Sequence, residues 1–395
     1  MPLPFAFPSL LWPVWALLGS ALVLAVVPVG YAVFAFGPLA RAVRRATWQV
    51  LPPTELPPLS IIVSAHNDAP ALHRLVPELL RQAYPADLEI VLVDDRSRDD
   101  TGLYLQQLTQ LFTPHVRLVS IKSTPPGLNP KKYALTIGLK VARHPHRLVT
   151  DADCVPASEH WAARMAAGFV APDGGAPAPT QLVLGFGGYA AAPTLLNVLI
   201  RYETLLTGGL FLSAARAGRA YMGVGRNLAY TKEAFTETRG FSSHLRALGG
   251  DDDLFVQDAV RARLPIGVVL HPDGQTISTA AASWRQLWHQ KRRHLGAGRR
   301  YRWPERVRAG LLPLSGPLFY IVAGAGLAAA PLLWPVWLGA WAVRVGGLLL
   351  GLGPLGRNLQ RPVPFWALPA LDPLFSLLYL ALGLSVLVST PTRWK

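Results

Sequence analysis

Apolar residues fall into two long blocks near the ends of this chain. Between them lies a middle where short apolar runs alternate with amphipathic stretches. From Leu10 to Phe36 no charged residue occurs, and about 20 apolar residues suffice to cross a bilayer. A second block begins near Leu311 and runs to Thr390, broken at Pro331 and Pro335 and again from Arg357 to Pro364. It predicts three helices, about 311–330, 333–355 and 365–389, each near span length. Arg344 lies inside the second of these, so it should face a helix partner or a headgroup rather than lipid tails.

The middle reads as βαβ units, the signature of a parallel sheet. Strands are predicted over Leu59–Ser64, Leu88–Val93, Val116–Ile121 and Arg147–Thr150. Helices are predicted over Asp68–Gln82, Asp99–Phe112 and Lys131–Ala142. The proline-rich run from Leu51 to Pro58 is a stiff linker into this region. The Gly/Pro/Ala stretch at 171–179 is a surface loop. These boundaries divide the chain into an N-terminal transmembrane anchor with its basic flank (1–45), an α/β domain (46–310) and three transmembrane helices (311–390).

Composition supports that division. Of 395 residues, 51% are hydrophobic and only 15% charged, against about 25% charged in ordinary soluble domains. Disorder is thereby excluded. The 38 Lys and Arg outweigh 23 Asp and Glu by +15, and a mean hydropathy of +0.28 makes anionic membrane, not nucleic acid, the partner of that charge. Residues 1–9 carry no basic residue, unlike a signal peptide, whereas Arg41, Arg44 and Arg45 follow the first apolar block. Eight more basic residues, from Lys291 to Arg308, precede the second block. Positive flanks stay inside, so the reading is an integral plasma (inner) membrane protein with a cytoplasmic domain. The single cysteine, Cys154, excludes an intrachain disulfide and a cysteine zinc site, and reads as a small packing residue.

Polar residues cluster where the predicted strands end. His66-Asn67-Asp68 follows the first, Asp94-Asp95 the second and Asp151-Ala152-Asp153 the fourth. Ligands of open parallel sheets bind outside the carboxyl ends of the strands. Acidic groups gathered there repel unless a cation or hydrogen-bonding ligand joins them. Asp151 and Asp153 suit one hard divalent cation, Mg²⁺ or Mn²⁺, completed by phosphate oxygens. A turn or N-cap before the helix at Asp99 is the competing use of Asp94 or Asp95. Farther on, Gly249-Gly250-Asp251-Asp252-Asp253-Leu254 sets three carboxylates in a row. Such crowding raises at least one pKa and favours a general base, although capping of the next helix is the competing use. The stretch 284–295 is an amphipathic interfacial helix with Gln290, Arg293 and His294 on one face and Trp284 and Trp288 as an i,i+4 pair. P-loop, His-Glu-x-x-His and Gly-x-Ser-x-Gly motifs are absent. Gly223-Val224-Gly225-Arg226-Asn227-Leu228 lies too far downstream for a dinucleotide fingerprint.

Taken in order, these motifs resemble the membrane-bound family 2 glycosyltransferases, polysaccharide-synthase-like branch, over about 60–300. Ile61 to Asp68 looks like the opening strand, with Asp68 where Glu is usual. Val93-Asp94-Asp95-Arg96-Ser97 resembles the uridine-contacting turn, and Lys131-Lys132-Tyr133-Ala134-Leu135 the Lys-x-x-Ala-Leu segment near the diphosphate. Asp151-Ala152-Asp153 corresponds to the metal motif. Gly240-Phe241 with Gly250-Asp251 resembles the stretch ending in the catalytic base, and Gln290 to His294 the Gln-x-x-Arg-Trp motif. Two further positions depart from the pattern. Gly250 replaces the Glu before the base, and His294 replaces the Trp on which a growing chain would stack.

The resemblance implies a GT-A, Rossmann-like domain with a mostly parallel sheet. Its expected activity is inverting sugar transfer from a nucleotide-diphosphate sugar, a UDP-sugar foremost, to a lipid-linked or glycan acceptor. Asp68, Asp94 and Asp95 would hold the nucleotide. Asp151 and Asp153 would hold the cation, Lys131 and Arg293 would meet the leaving-group charge, and Gln290 and His294 would flank the site. Asp251 or Asp252 would be the base, with spacing to Leu254 favouring Asp251. The Gly223–Leu228 segment would line the acceptor side. Alternatives are a processive polysaccharide synthase and a non-catalytic membrane assembly subunit.

Overall fold

A computed structural model describes residues 12–46, 55–173 and 179–388. The start of the proline-rich linker (51–54), the centre of the 171–179 loop (174–178) and residues 1–11 and 389–395 lie outside the described residues.

The first apolar block is one long helical rod. It comprises α1 (Trp12–Tyr31), a π turn (Ala32–Phe36) and α2 (Gly37–Arg45). The α/β region follows with β1 (Leu59–Ala65), α3 (Ala69–Leu80), β2 (Leu88–Asp95), α4 (Thr101–Leu111), β3 (Val116–Ile121), α5 (Pro130–Val141) and β4 (His146–Asp151). Next come β5 (Cys154–Pro156), α6 (Trp161–Val170), β6 (Leu182–Leu184), β7 (Gly187–Tyr189) and α7 (Leu195–Arg216). After these are β8 (Leu228–Thr231), α8 (Lys232–Glu237), α9 (Asp253–Arg261), β9 (Ile266–Val268) and β10 (Thr276–Ser278). The chain closes with α10 (Trp284–Gly298), α11 (Trp303–Ala329), α12 (Trp334–Asn358) and α13 (Leu368–Val388).

Seven strands form the main sheet in the order β3-β2-β1-β4-β8-β6-β9. The first four run parallel, and β8 alone lies antiparallel to its neighbours β4 and β6. A second sheet, β5-β10-β7, begins where the chain leaves β4. The register sets the heights of the acidic residues. Ser64 pairs with Val93 on one side and Asp151 on the other, so Asp94 and Asp151 differ by one residue in height across two strand spacings, about 10 Å.

The sequence reading gave no helix at 195–216. There α7 is apolar enough to resemble a span, yet most of it is buried within the protein. It ties the sheet region to the apolar helices. Phe36, fully buried at the π turn, wedges between Gly209 of α7 and Gly351 of α12, where any Cβ would come within 2.8 Å of its ring.

Among the described residues five helices are long and apolar enough to cross a membrane: the α1–α2 rod, α7, α11, α12 and α13. The rod, α11 and α12 pack as a bundle around Leu18, Ala21, Ala25, Phe319 and Trp337. Arg344 faces a helix partner. Its guanidinium takes Asp372 of α13 in a bidentate pair (2.7 and 3.0 Å) and Ser315 of α11 (3.0 Å), while Tyr320 donates to the same carboxylate at 2.7 Å. By contrast, α13 touches the α/β region repeatedly. Arg361, ahead of it, donates to Gln275, Tyr379 donates to Glu203 of α7, and Arg292 and Arg299 donate to the carbonyls of Ser385 and Val386.

Candidate active site

Two consecutive lysines at the start of α5 organise the site. Asn129 caps this helix by accepting from the Lys132 amide at 3.1 Å, with Pro130 preset for the first turn. That fixes the direction of Lys131, whose ammonium lies 2.8 Å from Asp151 and 2.8 Å from Asp251. Lys132 points the other way and is wholly buried. It donates to the carbonyls of His244 and Gly249, both at 2.7 Å, and so pins the loop that carries Asp251. Burial pulls the Lys132 ammonium down to about 8, which leaves it protonated at neutral pH.

The three neighbouring carboxylates have separate tasks. Gly250 sits at φ +86°, where a Cβ would meet Leu254 at 2.4 Å, so glycine at the position of the usual Glu is required here by the backbone. Asp252 caps α9: it accepts from the amides of Gly225 (3.0 Å) and Asp253 (2.8 Å). Asp253 is buried and accepts from Tyr301 at 2.5 Å and from the Leu254 amide at 2.8 Å. Burial and the charge of Asp252 push its carboxyl up to about 8. Burial and Asp251 also raise Asp252. Asp251 is the exception: burial pushes it up, but Lys131 and Lys132 outweigh that and hold it below the ordinary range. The crowding expected to raise a pKa therefore acts on its two neighbours.

Asp151, Asp153 and Cys154 bring one ligand atom each within 4.8 Å of one another. The donor chemistry divides this group. The buried Cys154 thiol meets Ser278 Oγ at 2.9 Å, and burial with the charge of Asp153 holds it well above its usual pKa. Soft sulfur is a poor ligand for Mg²⁺ or Mn²⁺, which leaves two hard carboxylates. Asp153 is exposed to solvent beside the half-buried Asp151. A divalent cation fits such a pair.

The sequence reading gave Arg226 no individual role. Its guanidinium donates to Gly187 O (2.7 Å) and Tyr189 OH (3.0 Å) and stacks 4.6 Å from the Tyr189 ring centre. Thr150, one residue before Asp151, donates to the Arg226 carbonyl at 2.9 Å. The only available signal was a cation between the Gly225 turn and a strand.

Asp68, Asp94 and Asp95 form a separate cluster along the same sheet edge. Asp94 accepts from the Ser97 amide at 3.0 Å, Asp95 pairs with Arg96 at 2.7 Å, and Asp68 accepts from the His66 amide at 3.2 Å. Asp94 thus serves the turn. On α10, Gln290 approaches Tyr189 OH at 3.4 Å and Arg293 packs against Gly249. His294 is open to solvent on the same helix. The helix is locked by Lys291, which pairs with buried Glu203 at 2.5 Å.

Residues 60–184 match the family model Glycosyl transferase family 2. The chain carries a family 2 glycosyltransferase domain. The match takes in Asp68, Asp94, Asp95, Lys131, Asp151 and Asp153, while Asp251 and α10 lie beyond it. Probable glycosyltransferase YdaM of Bacillus subtilis (strain 168) is 26% identical over 246 residues, covering 60% of this chain and 54% of that protein. The chain thus spans about half the length of this curated relative. Mannosyltransferase PcManGT from Pyrobaculum calidifontis, solved in complex with GDP-Man and Mn²⁺, is similar in structure with a TM-score of 0.61 at 19% identity. That likeness covers 94% of this chain and 99% of the other. The glycosyltransferase domain has the GT-A fold, flanked by apolar helices.

Proposed function

We propose that this glycosyltransferase moves a sugar, with inversion, from a nucleotide-diphosphate sugar to an acceptor held at the cytoplasmic membrane face. The observation that carries this reading is Lys131 standing 2.8 Å from both Asp151 and Asp251. One ammonium links the carboxylate suited to a cation with the carboxylate suited to a base.

In this mechanism the nucleotide lies along the strand ends, against Asp68, Asp94 and Asp95. Asp151 and Asp153 would hold a divalent cation, which would supply positive charge for the diphosphate. Lys131 meets the charge that develops as the bond between the anomeric carbon and the phosphate oxygen breaks, whereas Arg293 lines an arginine-rich cavity on the other side of the Asp251 loop. The acceptor hydroxyl oxygen forms the new bond from the opposite face, and Asp251 takes its proton. Lys131 is shared between these tasks. When the diphosphate draws the ammonium toward itself, Asp251 loses its counter-ion and becomes the stronger base that proton removal requires. Arg226 and Tyr189 line the acceptor side with Gln290.

The test offers UDP- and GDP-sugars with Mn²⁺ or Mg²⁺ to the full chain in nanodiscs and follows release of nucleoside diphosphate. Metal-dependent release from one donor is expected. No release and no nucleotide binding across the panel would overturn the reading in favour of a non-catalytic membrane subunit.

A further inference from the structure

We propose that an arginine-lined cavity beside the Asp251 loop binds the phosphate headgroup of a membrane lipid. This deepens the acceptor side of the proposed function and rests on that reading.

The cavity measures about 390 Å³ and lies between the loop Arg246–Gly249 and the second half of α10 with the turn after it. Arg246, Arg293, Arg299 and Arg300 line it, and no carboxylate does so among the described residues. Small residues, Gly249 and Gly296 among them, leave the room. Four guanidinium groups around one space make it strongly positive and attract an anion. Their planar forks match the oxygens of a phosphate.

Position favours a phosphate borne by a lipid over a soluble one. The arginines run directly into α11, which opens with exposed Trp303 and continues with exposed Val307, Leu311 and Leu314. Arg299 also donates to the Val386 carbonyl at 3.2 Å, in the last turn of α13, where Leu384 and Leu387 are exposed. Cationic groups and outward leucines therefore meet at one level, with a tryptophan of the kind that sits among headgroups. A phosphate carrying acyl chains uses both features; a free anion uses only the first. The cavity also borders the reaction. Gly249, in its wall, lies two residues before Asp251 and is held by the Lys132 bond to its carbonyl (2.7 Å).

The experiment measures binding of short-chain dioctanoyl phosphatidic acid to the full chain in neutral detergent, without donor. Dioctanoylglycerol, inorganic phosphate and UDP with Mn²⁺ serve as competitors. Phosphatidic acid should bind the wild type at least tenfold more tightly than the double variant Arg246→Gln, Arg300→Gln. Either single variant should fall between them, which keeps the test open if the double variant fails to fold. Dioctanoylglycerol and inorganic phosphate should compete at least tenfold less well than phosphatidic acid. Equal affinity in a folded variant would overturn the site, and inorganic phosphate binding as tightly would overturn its lipid character. Competitive displacement by UDP with Mn²⁺ would assign the cavity to the donor and also overturn it. Because no donor is present, loss of this site and loss of sugar transfer are separate results.

Discussion

The ammonium of Lys131 lies 2.8 Å from Asp251 Oδ2, although the two residues are 120 positions apart in the chain. Burial would keep the Asp251 carboxyl protonated; this contact, backed by Lys132, keeps it ionised.

Asp251→Asn should lower kcat at least ~100-fold, because a general base contributes on the order of 10²–10⁴. Nucleotide affinity should stay within about twofold, since the change removes a proton acceptor and not a donor contact. Asp252→Asn, at the α9 cap, should affect stability more than chemistry. Steady-state kinetics with calorimetric nucleotide binding compares the two, and a larger kcat loss in Asp252→Asn would move the base by one residue.

The pH profile should show Lys131 at work. A carboxyl held below its ordinary range stays ionised above that point, so the acid limb of kcat/KM from Asp251 should lie below about pH 4. Without the ammonium, burial prevails and the limb moves up. The check is kcat/KM from pH 4 to 8 for wild type and Lys131→Met; coincident limbs would remove Lys131 as the counter-ion.

Asp253 should make its mark on stability instead. Its carboxyl, pushed up to about 8, keeps a proton in the folded chain that the unfolded chain releases near pH 4. Between those values the folded state binds more protons, so this group makes stability fall as pH rises from about 4 to about 8. Asp253→Asn, which does not titrate, should flatten that slope in unfolding midpoints measured across the range. An unchanged slope would show that Asp253 ionises normally.

Removal of divalent metal should abolish nucleotide-sugar binding, and Asp153→Ala should do the same with metal present. Cys154→Ala should retain metal-dependent binding, because the buried thiol partners Ser278. Titration of Mn²⁺ into the three proteins with nucleotide present tests the division between carboxylates and thiol.

In the apolar bundle, Arg344 and Asp372 are 2% and 1% exposed. Breaking such a pair leaves an uncompensated buried charge and costs about 3–5 kcal/mol, whereas replacing both partners with apolar residues is often neutral. Arg344→Met should therefore destabilise strongly, and the double change Arg344→Met, Asp372→Leu should recover most of the loss. Thermal unfolding in one detergent measures both; equal losses would mean the pair is not the source of the stability.

The elements with strong periodicity were legible from residues alone. Val116–Ile121 has the boundaries read from the sequence, and α5 differs from its expected range by one residue at each end. Three-residue strands such as β7 and β10 are too short to show a period. A buried helix such as α7 is apolar on most sides and carries no clear amphipathic stripe. Its polar member, Glu203, has a purpose only once Lys291 and Tyr379 arrive from α10 and α13.

The sequence by itself determined the order of chemistry along the chain: acidic groups at the ends of β1, β2 and β4, a carboxylate run before a helix, and a basic amphipathic stretch before the second apolar block. Local pattern and residue type suffice for that, because strand and helix periods are short-range properties. Tertiary structure decided which carboxylate stands beside Lys131, which ones merely cap, and that Arg344 meets Asp372 across two helices. Those outcomes depend on distances between residues remote in sequence, and in a close-packed interior only the assembled fold sets such distances.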